Sequence, residues 1–315
     1  MIVRPENLDF SGKKFSMIIY APPGTGKTTL ALSAPKPVLI DFDRGISRVK
    51  ASHRTASIQC NTYDEVLNDI KSPEMKDFET IVVDTGGSFV SFLQDWAIRT
   101  NPAQNQQKNG ALSLKGFGAV KQEFIRFTNY VKDTLNKNII FVFHSDEQKD
   151  KDGNPQQRLL CEGSAKNLVW QPCDFGGFLQ MIGKKRVISF TPEDSFFAKG
   201  CYGIEGTFDV PTLGENDKND FLTRLFNLAK ANIEKETKAE APTKAQYESV
   251  MAEVKTIVDA VTNAEEATQA AQYIPTMEHA LTSKKEASAL LNAKCKELGL
   301  KWDKTQKAYL PELPK

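Results

Sequence analysis

Histidine and cysteine are scarce in this 315-residue chain, with three of the former and five of the latter. His53, His144 and His279 stand far apart, which argues against a histidine-built metal site. Cys60, Cys161, Cys173, Cys201 and Cys295 are odd in number, scattered and never in a C-x-x-C pair. That usage speaks against a zinc ribbon or a disulfide framework and for reduced thiols. An excess of charge of one sign is also lacking: 41 Lys and Arg face 40 Asp and Glu, a net charge of +1. No global field draws the chain to nucleic acid or membrane, so any polyanion site has to be local. No apolar run approaches the roughly 20 residues of a membrane span. The opening Met1–Asn7 lacks the basic-then-apolar order of a signal peptide. The expectation is a cytoplasmic protein without membrane contact.

What is present is an ordinary globular composition, 40% hydrophobic and 26% charged, with 19 Gly and 15 Pro. The length suits one full-size domain plus a smaller one. Short apolar runs at Phe15–Tyr20, Val38–Phe42, Ala56–Cys60, Thr80–Asp84 and Asn138–His144 alternate with helical patterns at Thr28–Ser33, Tyr63–Ile70, Phe89–Arg99 and Gly118–Leu135. Such alternation predicts an α/β fold: a mainly parallel sheet with helical crossovers covering both faces. Arg158–Cys161 reads as a further strand. Phe175–Ile182 and Arg186–Phe190, joined by Gly183-Lys184-Lys185, read as an antiparallel hairpin near the end of this core. A helix over Asp220–Ile233 closes the core, which spans residues 1–233.

Residues 234–243, charged and ending at Pro242, read as a helix tail running into a linker. Beyond them, 244–315 reads as a small helical module. Tyr247, Val250, Met251, Val254, Ile257, Val258 and Val261 follow helical spacing, and Ala287–Leu298 stops at Gly299.

One motif dominates. After the strand Ser16–Tyr20, the residues Ala21-Pro22-Pro23-Gly24-Thr25-Gly26-Lys27-Thr28-Thr29 lead into a helix. They meet the P-loop pattern G-x-x-x-x-G-K-[ST], with Ala21 in place of the first Gly. Gly24 and Gly26 let backbone N–H groups curl around a β-phosphate with no Cβ in the way. Lys27 would reach the β/γ oxygens, and Thr28 would offer a hydroxyl to Mg²⁺. The motif therefore implies an ATP site.

Three strand ends add candidates. Phe78–Asp84 is an apolar run closed by a carboxylate, and Asp84 is expected to hold the water shell of Mg²⁺, a role compatible with capping the next helix. Val38–Asp43 ends in two carboxylates on one face. Asp43, further out, is the candidate general base; its competitors are Asp41 as the base and a plain turn-capping role for Asp43 before Gly45. His144 at the end of the next strand is a candidate γ-phosphate sensor or a satisfied structural group.

This ordered set resembles the RecA-like ATPase core, and is most similar to phage nucleotide-binding proteins that include the Sak-type single-strand annealing ATPases. The resemblance rests on Ala21–Thr29, Val38–Asp43, Val82-Val83-Asp84, Phe141–Ser145 and the stretch Phe196-Phe197-Ala198-Lys199-Gly200, and covers roughly the first 230 residues. It implies ATP hydrolysis with Mg²⁺, a homo-oligomeric ring or filament, and action on single-stranded DNA in recombination or repair within the host cytoplasm. A single-stranded-DNA-binding protein is a further partner it allows. It implies that Lys199 approaches a neighbour's γ-phosphate, although Cys201 stands where a second basic residue is expected. Asp43 departs from the RecA pattern by one methylene, and His144 replaces a Gln. For DNA, the resemblance points to the polar loop Asn101–Gly110 and its continuation, with Lys108 and Lys115 for phosphates and Phe117 for base stacking; a plain solvated loop is the alternative. Two other functions remain open: a P-loop kinase, for which the nine dispersed arginines supply no phosphate-clamping lid, and a non-catalytic ATP-gated assembly or regulatory protein.

Overall fold

The computed structural model describes residues 9–10, 12–161 and 169–312, with 238–242 as backbone only. The opening Met1–Asn7 lies outside the described residues. Residues within Ser11–Asn232 form one compact unit and those within Ile233–Lys315 a second. No helix among the described residues is long and apolar enough to cross a membrane.

The first unit is an α/β layer structure. Among the described residues its sheet has nine strands in the order β3-β2-β4-β5-β1-β7-β8-β9, with β6 paired to β5. Here β1 is Ser16–Ala21, β2 Pro37–Asp41, β3 Ser57–Ile58, β4 Thr80–Asp84, β5 Asn138–Lys149, β6 Pro155–Leu159, β7 Phe175–Ile182, β8 Lys185–Ser189 and β9 Thr207–Val210. Strands β1 to β5 and β7 run parallel, and β6, β8 and β9 join antiparallel. β1 is buried at every residue, and β4 and β5 are buried along their first halves. Helices pack on both faces of such strands, so near-continuous apolar runs are what a parallel sheet needs.

The crossover helices start where the sequence supplies caps. Thr62 accepts from Glu65 N at the start of α2 (Tyr63–Asp69), and Thr85 accepts from Ser88 N at the start of α3 (Gly86–Thr100). α1 (Lys27–Ala31) follows the P-loop, α4 is Pro102–Asn105, and α5 (Leu114–Asn129) runs on into a π-helical turn over Tyr130–Thr134. One aromatic-rich core under α3 and α5 joins Phe89, Phe124, Phe127, Phe141 and Phe143.

Four expectations need correction. The supposed linker 234–243 is helical backbone inside α6 (Phe221–Ala260); its Glu, Lys and Ala content favours helix strongly enough to outweigh the Pro242 signal. The loop Asn101–Gly110 is folded rather than open: α4 occupies part of it, Asn105 is buried with Nδ2 donating to Ala97 O (2.7 Å), and Gln106 bridges Leu112. β5 does not stop at His144 but continues to Lys149 to pair with β6. The second unit is not wholly helical. Besides α7 (Ala264–Tyr273) and α8 (Ser283–Glu297) it carries a hairpin, β10 (Leu300–Asp303) with β11 (Ala308–Pro311).

Within that second unit, Val250, Val254, Val258 and Val261 of the expected stripe pack with Ala267, Ala270, Ile274, Ala287, Leu291, Cys295 and Tyr309. Tyr309 anchors the hairpin by donating its hydroxyl to Asn292 Oδ1 (2.7 Å) and its backbone N–H to Thr268 Oγ1 (2.9 Å).

Candidate nucleotide site

The P-loop leaves the C-terminal end of β1, where open α/β sheets place their ligands. Gly24 and Gly26 have φ of 78° and 84°, a left-handed backbone that residues with a β-carbon adopt only under strain. That backbone wraps a cavity of about 230 Å³ whose lining includes Gly24, Gly26, Lys27, Thr28, Asp41, Asp43, Asp84, His144 and Arg48.

Lys27 is 6% exposed. Its ammonium donates to the carbonyls of Ala21 (3.1 Å) and Pro22 (2.9 Å) and lies 3.3 Å from His144 Nδ1. Burial lowers its pKa, and the Asp84 carboxylate counters that. An ammonium has only donors, so Nδ1 of His144 must accept, which leaves Nε2 with the proton. Burial, with Lys27 next, lowers the His144 pKa, so the ring is neutral near pH 7. A neutral His144, whose Nε2–H meets no acceptor among the described residues, is a hydrogen-bond donor available to an anion.

Thr28 Oγ1 donates to Asp84 Oδ2 (2.5 Å). Burial pushes the Asp84 pKa up to about 6; the Thr28 hydrogen bond opposes this, while Asp43 and Asp41 add to it. The fit of a hard cation can be judged from these donors. A hydroxyl and a desolvated carboxylate meet at a cavity with two further carboxylates close enough to be felt. Among the described residues no group of three or more His, Cys, Asp or Glu forms a closed metal cage. Such a sparse oxygen set suits Mg²⁺, which keeps waters and phosphate oxygens in its shell.

The two carboxylates at the end of β2 and just beyond it differ in their partners. Asp41 is 3% exposed and its oxygens accept from Gly45 N (2.7 Å) and Ile46 N (3.0 Å), fixing the turn. Asp43 is exposed at the cavity and accepts from Ser88 Oγ (2.6 Å), which is tied to Thr85 Oγ1 (2.9 Å). The turn-capping role therefore belongs to Asp41, which also lines the cavity, and Asp43 is the more exposed of the two carboxylates there.

Lys27, Thr28, Asp84, Asp43 and His144 thus converge, and Thr29 joins the lining. Other candidates do not. Pro22 serves the loop through its carbonyl, which accepts from Lys27 Nζ and Thr25 Oγ1, and Pro23 lies outside the cavity lining. Lys199 is half-buried and donates to the Cys173 carbonyl (2.5 Å). Lys108 and Lys115 are exposed and lie outside the cavity lining, while Phe117 is half-buried against the aromatic core. Arg48 was missed by sequence reasoning. The run Arg44, Arg48, Lys50, Arg54 was its signal: Arg44, Lys50 and Arg54 bond protein oxygens, whereas Arg48 lines the cavity.

The family described as AAA domain matches residues 13–202, which is more than half of the chain. The chain belongs to this family of P-loop ATPase domains. Among curated proteins there is no match. Among solved structures, a KaiC-like protein from the hyperthermophilic archaeon Pyrococcus horikoshii OT3 is similar at 12% identity, with 63% of this chain and 90% of that one covered and a TM-score of 0.37.

Proposed function

We propose that this AAA-domain protein binds ATP with Mg²⁺ in the P-loop cavity, hydrolyses it, and uses the cycle to act on single-stranded DNA in phage recombination or repair as a homo-oligomer. The observation that carries the nucleotide part is the meeting of Lys27, Thr28, Asp84, Asp43 and His144 around one cavity at the carboxyl end of the sheet. Backbone N–H groups of Gly24 to Thr28 surround the β-phosphate, and Lys27 leaves the carbonyls of Ala21 and Pro22 to neutralise the β/γ oxygens. Thr28 and Asp84 would hold Mg²⁺, which would supply charge neutralisation for the transferring phosphate. Asp43 takes the proton of the attacking water, and Ser88 Oγ fixes the orientation of its carboxylate. His144 donates Nε2–H to the γ-phosphate and gives up that hydrogen bond on hydrolysis, and β5 carries it directly into the β5–β6 hairpin.

The DNA part rests on the resemblance to phage annealing ATPases and on the exposed Lys108 and Lys115. Because net charge is near zero, binding has to be local and salt-sensitive. One observation favours a second reading, an ATP-gated regulator without turnover: Asp43 is already engaged by Ser88, which restrains it as a base. A steady-state ATPase assay with and without single-stranded DNA separates them. Turnover that rises with DNA supports the proposal. ATP binding without turnover at any DNA concentration contradicts it in favour of the gated regulator.

A further inference from the structure

The P-loop has a second flank, and a single arginine occupies it. Strand register places Arg186 on the same sheet face as the phosphate site. Ala21 pairs with His144 and Val142 with Asp84, so these groups share a face. Ile19, on that face too, pairs with Gly177. Two and four residues on, Leu179 pairs with Ile188 and Met181 with Arg186. Asp84 and His144 therefore flank β1 on the β4/β5 side and Arg186 flanks it from β8 on the opposite side.

The side chain reaches back onto the loop. A β-carbon on Gly26 would lie 3.1 Å from Nη1 and 3.2 Å from Cζ of Arg186, so the guanidinium rests on the glycine that precedes Lys27. Its Nε is buried with no hydrogen-bond partner. Among the described residues no carboxylate or carbonyl is bonded to any of its nitrogens. A buried Nε–H without an acceptor, on an always-charged guanidinium, is unfavourable for the fold alone, and the half-exposed fork it belongs to matches phosphate oxygens in geometry.

We propose that Arg186 binds the α-phosphate of the nucleotide, an inference that rests on the nucleotide-binding reading above. Thr28, Asp84, Asp43 and His144 gather the γ end on the β4/β5 side. A polyphosphate crossing the loop from there runs over Gly26 towards β8, and the α-phosphate is the anion that arrives beside the guanidinium. A hydrogen bond to the α-phosphate serves ATP and ADP alike, so Arg186 sets the overall hold on the nucleotide while the opposite flank distinguishes the two.

The test is equilibrium titration of fluorescent ATP and ADP into full-length wild-type protein, Arg186→Ala, Arg186→Lys and Lys27→Ala, with thermal melting of each. Arg186→Ala should weaken ATP and ADP by the same factor, roughly 10- to 100-fold, the scale of a lost hydrogen bond to a charged group. Arg186→Lys should recover part of that loss. Unchanged affinity in a variant that melts like wild type overturns the inference, and so does a loss confined to ATP, which would put the guanidinium at the γ-phosphate. Should Arg186→Ala not fold, Arg186→Gln takes its place under the same two criteria. Wild-type protein that binds neither nucleotide contradicts the nucleotide reading itself, a different outcome from normal wild-type binding with an indifferent Arg186.

Discussion

The P-loop pocket and the C-terminal module bury their side chains to opposite ends. The pocket keeps charges where water is excluded: Lys27 is pushed towards its neutral form, and Asp84 is raised to about 6. Desolvated charges of this kind lower the stability of the fold, and they persist at sites that bind or catalyse. The module instead buries Val254, Ala267, Ala287, Leu291 and Cys295, and its buried Tyr309 hydroxyl is hydrogen-bonded. Its interior is explained by packing, whereas the pocket's is explained only by a ligand. Removing a pocket charge should therefore change binding before stability, and trimming the module should do the reverse.

The largest effect is expected from Lys27→Ala. It removes the one buried ammonium of the cradle and should take ATP affinity beyond the reach of a fluorescent-nucleotide titration while the melting temperature holds. Undiminished binding by the folded variant would contradict the P-loop assignment.

Asp84→Asn should be more stable than wild type without nucleotide. The folded pKa lies near 6 against an ordinary 3.8, so the protonated carboxyl is favoured in the fold and the ionised one carries a cost. That cost is absent below about pH 4 and complete above about pH 6, where it is on the order of 2–3 kcal/mol. Urea unfolding at pH 4 and pH 7.5 checks the sign: the variant's advantage should appear only at the higher pH. The same variant should lose the Mg²⁺ dependence of ATP binding.

Val254→Ala deletes two buried methyl groups in the module and should cost about 2 kcal/mol of its stability. ATP affinity should stay at the wild-type value, because all cradle residues lie in Ser11–Asn232. A drop in ATP affinity would break the division between ligand-built and packing-built interiors. The smallest effect belongs to Lys108→Ala with Lys115→Ala. Binding of a labelled single-stranded oligonucleotide should weaken severalfold, and its log–log salt slope should become shallower by about 0.7 for each DNA phosphate no longer paired with a lysine. ATP affinity should not move.

The same contrast governs what the amino-acid order reveals. The P-loop is legible because its left-handed backbone demands Gly24 and Gly26 beside a lysine. Strand β4 is legible to the residue because its buried run Ile81-Val82-Val83 leads straight to Asp84. The choice between Asp41 and Asp43 needed the turn at Gly45–Ile46, since alternation alone puts both on one face. Arg48 showed only as one member of a basic run, and Arg186 was not legible, because each owes its position to a chain path or strand register remote from the motif. The helical stretch 234–243 was obscured by Pro242, and the hairpin Leu300–Pro311 is too short and lysine-rich to show a clean period of two.

The central claim, that this cavity hydrolyses ATP with Asp43 as base, is met most directly by measuring ATP affinity and steady-state turnover together in wild type, Asp43→Asn and Asp41→Asn. The account predicts that Asp43→Asn keeps its ATP·Mg²⁺ affinity and loses roughly 10²-fold in turnover, the scale of a lost general base. Wild-type turnover in Asp43→Asn alongside its loss in a folded Asp41→Asn would contradict it.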